Sequence, residues 1–161
     1  MRKMTFATLV AIMFAFMSVL SVPAVRAGAD ESAPLRCTID LSVDVAAANP
    51  HWEGPITGAV EGTMQLWEHW SENYVVGATE HFFEDFVIYT SDGSVIKGND
   101  QGIWTFQTLK FRSQGFVTEA TGDWAFLVGY RVLTTGFTSE FPPVPPSTVI
   151  SGWGTVMMVP P

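Results

Sequence analysis

A single cysteine, Cys37, is all the thiol this chain of 161 residues has, which excludes a disulfide scaffold. Basic residues are scarce as well: 8 Lys and Arg stand against 16 Asp and Glu. Three of those eight, Arg2, Lys3 and Arg26, precede residue 28 and none of the acids does, so the remainder carries a formal charge of −11. Such a balance repels phosphate backbones and excludes nucleic acid as a partner. Imidazole is limited to His51, His69 and His81. After residue 27 no apolar run is long enough for a membrane-spanning helix, and no segment keeps a helical period. There is no glycine-rich phosphate loop and no recognisable Ser-His-Asp motif. What the chain does have is 12 Phe, 6 Trp, 3 Tyr and 14 Gly, the composition of a globular, aromatic-rich protein punctuated by glycine.

The amino terminus has the order of a secretion signal. Met1-Arg2-Lys3 is basic, Met4 to Val22 is almost wholly apolar, and Val25-Arg26-Ala27 offers small residues to a signal peptidase. This predicts a signal peptide over 1–27, with Ala24 as a second cleavage position. A single domain over 28–161 is then exported, secreted or periplasmic, with no membrane span once the signal is removed. Arg36 before Cys37 argues against lipid attachment.

The body reads as strands. Thr38 to Val45 alternates, with Ile39, Leu41, Val43 and Val45 on one face. Ile56 to Trp67 continues the pattern as one strand, with Gly58, Val60, Gly62, Met64 and Leu66 on the face of Ile56. Glycines inside a strand mark bends or close approach, and several of them suggest a strongly coiled sheet. Asp92-Gly93 between β-rich runs predicts a two-residue hairpin loop. Further strands are expected at Phe111 to Thr118, Trp124 to Leu133 and Thr148 to Val159. The four prolines between Glu140 and Ser147 predict an extended loop. Turn-linked strands and bent glycines favour an all-β fold, one small antiparallel β-barrel of about eight strands.

Two segments then resemble a known family. Gly58-Ala59-Val60-Glu61-Gly62 resembles the Gly-x-x-x-Gly strand of small bacterial barrels related to the allene oxide cyclases. Ala120-Thr121-Gly122-Asp123-Trp124-Ala125-Phe126-Leu127-Val128-Gly129 is similar to the Gly-Thr-Gly turn and strand found there and in dirigent proteins, with Ala120 in place of the first glycine. The resemblance implies an eight-stranded, calycin-type barrel with an apolar cavity, whose members cyclise, steer radicals or have no known role. No cyclase or dirigent catalytic set carries over residue by residue.

Chemistry is expected from carboxyls. A two-residue loop at Asp92-Gly93 places Asp85 opposite Asp100, His81 opposite Trp104 and Phe83 opposite Gly102. Like charges across a ladder are destabilising, so a cation, a shared proton or a bulge must relieve them. Glu61, Glu80, Asp85 and Asp100 are the candidate acid/base residues, although strand parity prevents all four from facing inward. Trp104, Trp124, Phe126 and Tyr130 are the expected ligand-binding wall. His81 lies beside Glu80 and Glu84 in sequence, but on a strand these point away from it, so neither metal nor cofactor is expected. Two readings stay open: a barrel holding a small hydrophobic molecule, as an isomerase or cyclase if it is an enzyme, or a non-catalytic surface module. The second would bind carbohydrate or protein through Trp67, Glu68, His69, Trp70 and Tyr74.

Overall fold

The computed structural model describes residues 33–143 and 146–161. The leader expected over 1–27 lies outside them. Strand β1, Leu35–Asp44, follows the alternation of its sequence: Ile39, Leu41 and Val43 are buried while Thr38, Asp40, Ser42 and Asp44 face water.

The alternating run at Ile56 to Trp67 is two strands, β2 (Trp52–Gly58) and β3 (Gly62–Glu68), which pair antiparallel with Ile56 opposite Gly62. Gly58 takes a φ of 114°, a region open to glycine, and turns the chain. Val60 lies within that bend and is nevertheless fully buried. Its amide donates to Cys37 Sγ at 3.3 Å, while the Ala59 amide donates to the Arg36 carbonyl at 3.0 Å. The alternation therefore runs unbroken through a reversal, and periodicity alone cannot register a change of direction.

Strand β4 (Tyr74–Val76) is short and exposed; β5 (Thr79–Thr90), β6 (Val95–Thr105) and β7 (Lys110–Ala120) follow as a meander. Strands β8 (Arg131–Thr138) and β9 (Val149–Val159) complete the set. The order β3-β2-β1-β9-β8-β7-β6-β5 is closed by pairing of β3 with β5, which makes an eight-stranded antiparallel barrel. β4 is an extra strand laid on the first residues of β5. Closure removes the unpaired edges an open sheet would leave.

Two sequence expectations are corrected here. The β5–β6 loop has three residues, Ser91, Asp92 and Gly93, and pairs Tyr89 with Val95. Gly93 alone among them has a left-handed φ, 86°. A turn ending on one left-handed glycine is the usual three-residue solution, whereas the two-residue loop needs two positive φ values. Asp92 stabilises the longer loop by accepting hydrogen bonds from the Thr90 hydroxyl and, at 2.9 Å, the Ser94 amide. The register moves by one residue, so Glu84 faces Asp100, Asp85 faces Asn99, His81 faces Ile103 and Phe82 faces Gly102. Such a slip exchanges the faces of a strand.

The second correction concerns Trp124 to Leu133, of which only Arg131 to Leu133 are strand, the start of β8. Gly122–Leu127 is a 3-10 helix, entered at Gly122 with φ 59°, and Gly129 with φ 89° leads into β8. Trp124 and Leu127, three residues apart, share a side of that helix and are both buried, while Val128 is exposed. With Tyr130 they close one end of the barrel, where the Trp124 indole donates to Asp92 Oδ2 at 3.2 Å.

That closed end, called lower below, is packed with Ile56, Val60, Met64, Ile88, Ile96 and Met158, all at or near zero exposure. Rings lie over glycines along the wall: a Cβ would stand 2.3 Å from Phe86 Cζ at Gly98, 2.3 Å from Phe82 Cζ at Gly102 and 2.5 Å from Phe111 Cζ at Gly136. Glycine is what lets these rings lie flat against the wall.

Candidate functional site

The inward positions of the upper barrel carry acids. On β5 the alternation that buries Phe86 and Ile88 lower down brings Phe82 and Glu84 inside. On β6 the same parity presents Asp100 and Trp104, and the end of β3 adds Glu68. With Trp52, Phe111 and Thr134 they surround a cavity of about 60 Å³ to which Glu80 also contributes.

Glu84 and Asp100 are cross-strand partners, 5 % and 7 % exposed. The Ser113 hydroxyl donates to Asp100 Oδ2 at 2.8 Å. Burial and the adjacent Asp100 charge push the Glu84 carboxyl far above the ordinary carboxylate range. Burial raises Asp100 too, against hydrogen bonds from Glu84 and Ser113 that favour its ionised form. The pair therefore holds a proton, with Glu84 as acid and Asp100 as acceptor. This is how the fold relieves the like charges that a carboxyl pair across a ladder creates.

Glu68 sits at the mouth. The Trp52 indole donates to its Oε1 at 2.8 Å and the Asn73 amide donates to its Oε2 at 3.0 Å. Burial nevertheless raises its pKa to about 7. Asn73 also donates to Glu80 Oε1 at 3.3 Å and receives the Phe83 amide at 3.1 Å, so one side chain ties the β3–β4 loop to both mouth acids. Glu80 is raised by partial burial.

The cavity also holds polar atoms that find no partner among the described residues: Trp104 Nε1 and Thr134 Oγ1. Asp100 Oδ1 likewise has no hydrogen-bond partner among the described residues. Buried polar groups are nearly always satisfied, so these unmet donors and acceptors facing one cavity call for a partner from outside the described residues, a water, an ion or a ligand. No Lys, Arg or His is part of its wall.

Of the residues singled out in the sequence, Glu80, Asp100 and Trp104 come together here. Glu61 does not: it is exposed in the β2–β3 turn, where its carbonyl accepts the Ser91 amide at 2.8 Å. Asp85 points outward and accepts from His69 Nε2 at 3.0 Å. Trp124, Phe126 and Tyr130 belong to the closed lower end, because their segment is a 3-10 helix and a turn. Trp52 and Thr134 were not anticipated, and Glu68, read from sequence as part of a surface module, and Glu84, read only as a neighbour of His81, line the cavity instead. Glu84 was hidden by the one-residue register error, and with the correct loop length it is the residue opposite Asp100.

The histidines lie elsewhere. His51 stacks on Trp67 with centroids 4.0 Å apart, and His81 on Tyr74 at 4.6 Å. Among the described residues no three His, Cys, Asp or Glu converge as metal ligands would. Cys37 is buried. The stacks also cover a ring face of both Trp67 and Tyr74, while Trp70 and Tyr74 stay about equally exposed. No protein-family profile matches this chain, and no curated protein or solved structure matches it either.

Proposed function

We propose that this chain is an exported barrel that takes a small, oxygen-bearing organic molecule into its upper chamber and moves a proton on it, the chemistry of an isomerase or cyclase. The observation that carries the reading is the buried Glu84–Asp100 pair beside the unpartnered Trp104 and Thr134. A carboxylic acid and a carboxylate held together can act in one turnover as general acid and general base. Asp100 takes a proton from the carbon beside a carbonyl while Glu84 gives its own to the carbonyl oxygen. The C–H bond breaks and an O–H bond forms; return of the two protons, one to a different carbon, completes an isomerisation with no oxidant or reductant. Trp104 Nε1 is the donor that would hold the oxygen. The apolar part of the ligand would lie on Phe82 and Phe111.

The leader supports export, and the resemblance to allene oxide cyclase-related barrels supports isomerisation or cyclisation over surface recognition. Butanone in heavy water tests the reading. The protein should shift the Trp104 indole signal on binding and accelerate exchange of the protons beside the carbonyl, with Asp100→Asn abolishing the acceleration. Exchange no faster with the wild-type protein than with buffer overturns the proton-transfer reading.

A further inference from the structure

From the composition of the same chamber we infer that the ligand it is built for is a small organic cation, a protonated amine that also carries a hydroxyl or carbonyl oxygen. This rests on the chamber being a ligand site and adds the charge of what enters it.

The charge inventory is one-sided. Glu68, Glu80, Glu84 and Asp100 line the cavity and no basic side chain does. Clustered buried carboxyls repel one another and lose hydration, and in most proteins Lys, Arg or a metal ion offsets this. Here protons perform that role, on Glu84 above all. An ammonium group entering the cavity would add to them: it donates to Asp100 Oδ1, which has no hydrogen-bond partner among the described residues, while Glu84 keeps its proton. The rest of the wall mixes the aliphatic Ile39, Leu41, Met64 and Leu66 with four aromatic residues, and the aromatics suit a cation. Trp52, Phe82, Trp104 and Phe111 supply ring faces, whose electron-rich quadrupoles attract positive charge.

The unpartnered groups define the other end of the molecule. Trp104 Nε1 is a donor and needs an acceptor, which an ammonium cannot supply. Thr134, 5 % exposed, has a hydroxyl free to donate or accept. An oxygen atom a few bonds from the nitrogen meets both. A cavity of about 60 Å³ sets the size. At roughly 10–15 Å³ of such volume per water-sized site, it takes about five non-hydrogen atoms. A formal charge of −8 over the chain attracts cations into the mouth and repels anions from it.

Three probes of one shape separate the charges: 3-aminopropan-1-ol, propane-1,3-diol and 3-hydroxypropanoate, titrated while the Trp104 indole signal is followed by NMR. The amine should bind at least about ten-fold more tightly than the diol, and the acid should leave the signal unmoved. Glu68→Gln, at the mouth, should narrow the gap between amine and diol; Asp100→Asn should remove the gap. The wild-type comparison stands alone if a variant does not fold. A diol that binds as tightly as the amine, or an acid that binds best, overturns the cation while leaving the chamber as a ligand site. If none of the three shifts the signal but butanone does, the cation again falls alone. If butanone also fails, both readings fall.

Discussion

The two halves of this barrel interior are built by the same strands with the same alternation, and they differ in what the inward positions hold. Below, aliphatic side chains and the Trp124–Leu127 plug leave no room, and Ile56, Val60, Met64, Ile88, Ile96, Leu127 and Met158 are at or near zero exposure. Above, inward positions are given to carboxyls and two indoles, and a cavity remains. The lower half supplies burial energy of roughly 25 cal/mol for each Å² of apolar surface removed from water. The upper half spends some of it: buried acids that must hold protons, and polar atoms without partners, each oppose folding. Stability and function are thus divided along the barrel axis.

The comparison can be broken from either end. The largest effect expected is from Trp124→Ala, which opens the plug and should cost about 3–5 kcal/mol in denaturant unfolding. Because Trp124 belongs to the lower end, the variant should still shift the Trp104 indole with butanone under folding conditions; loss of that shift would mean the two halves are not separate. Next comes pH. The carboxyls of Glu68 and Glu84 are raised in the folded state, so between the ordinary value of 4.5 and their folded values the native chain binds more protons than the unfolded one. Stability therefore falls as pH rises through that window, for Glu68 between 4.5 and about 7. Asp92, lowered to about 2, works in the opposite sense, adding stability as pH rises to about 4. Unfolding between pH 5 and pH 8 should thus show a loss on the order of 3 kcal/mol, and Glu84→Gln should flatten the curve. A stability that rises across this interval would contradict the upper chamber as described.

Smaller effects sharpen the boundary. Gly93→Val should cost upwards of about 1 kcal/mol, since a β-branched residue resists the left-handed φ that ends the β5–β6 loop. Asp85→Asn removes a solvent-exposed contact with His69 and should change stability by less than about 0.5 kcal/mol while leaving butanone binding as it was. An effect on binding comparable to that of Asp100→Asn would restore the register in which Asp85 points inward.

Much of the barrel was legible because burial alternates: Ile39, Leu41 and Val43, or Met64 and Leu66, announce their face two residues at a time. Three things were not. A reversal at Gly58 leaves the alternation intact, since Val60 is buried in the bend itself. The spacing of Trp124, Phe126, Val128 and Tyr130 satisfies a strand period, while the backbone is steered by the positive φ of Gly122 and Gly129 into a 3-10 helix. The third is loop length at Asp92-Gly93. Phe82-Phe83-Glu84-Asp85-Phe86 is apolar and acidic on both parities, so nothing within the strand distinguishes Glu84 from Asp85, and one loop residue decides which acid goes inside. That a carboxyl pair had to be relieved across this ladder could be read from sequence. Which two carboxyls formed it could not. Glu68 reaches the chamber through closure of β3 on β5 and Thr134 through the register of β8 on β7, neither of which the alternation within a strand specifies.

The most direct test is a carboxyl-carbon NMR titration of Glu84 in the wild-type protein. Glu84 should keep its proton through the range where ordinary glutamates ionise, with a midpoint well above 4.5, and Asp100→Asn should move that midpoint. A Glu84 that titrates near 4.5, alongside the solvent-exposed glutamates, would contradict the proton-sharing pair and the chamber chemistry built on it.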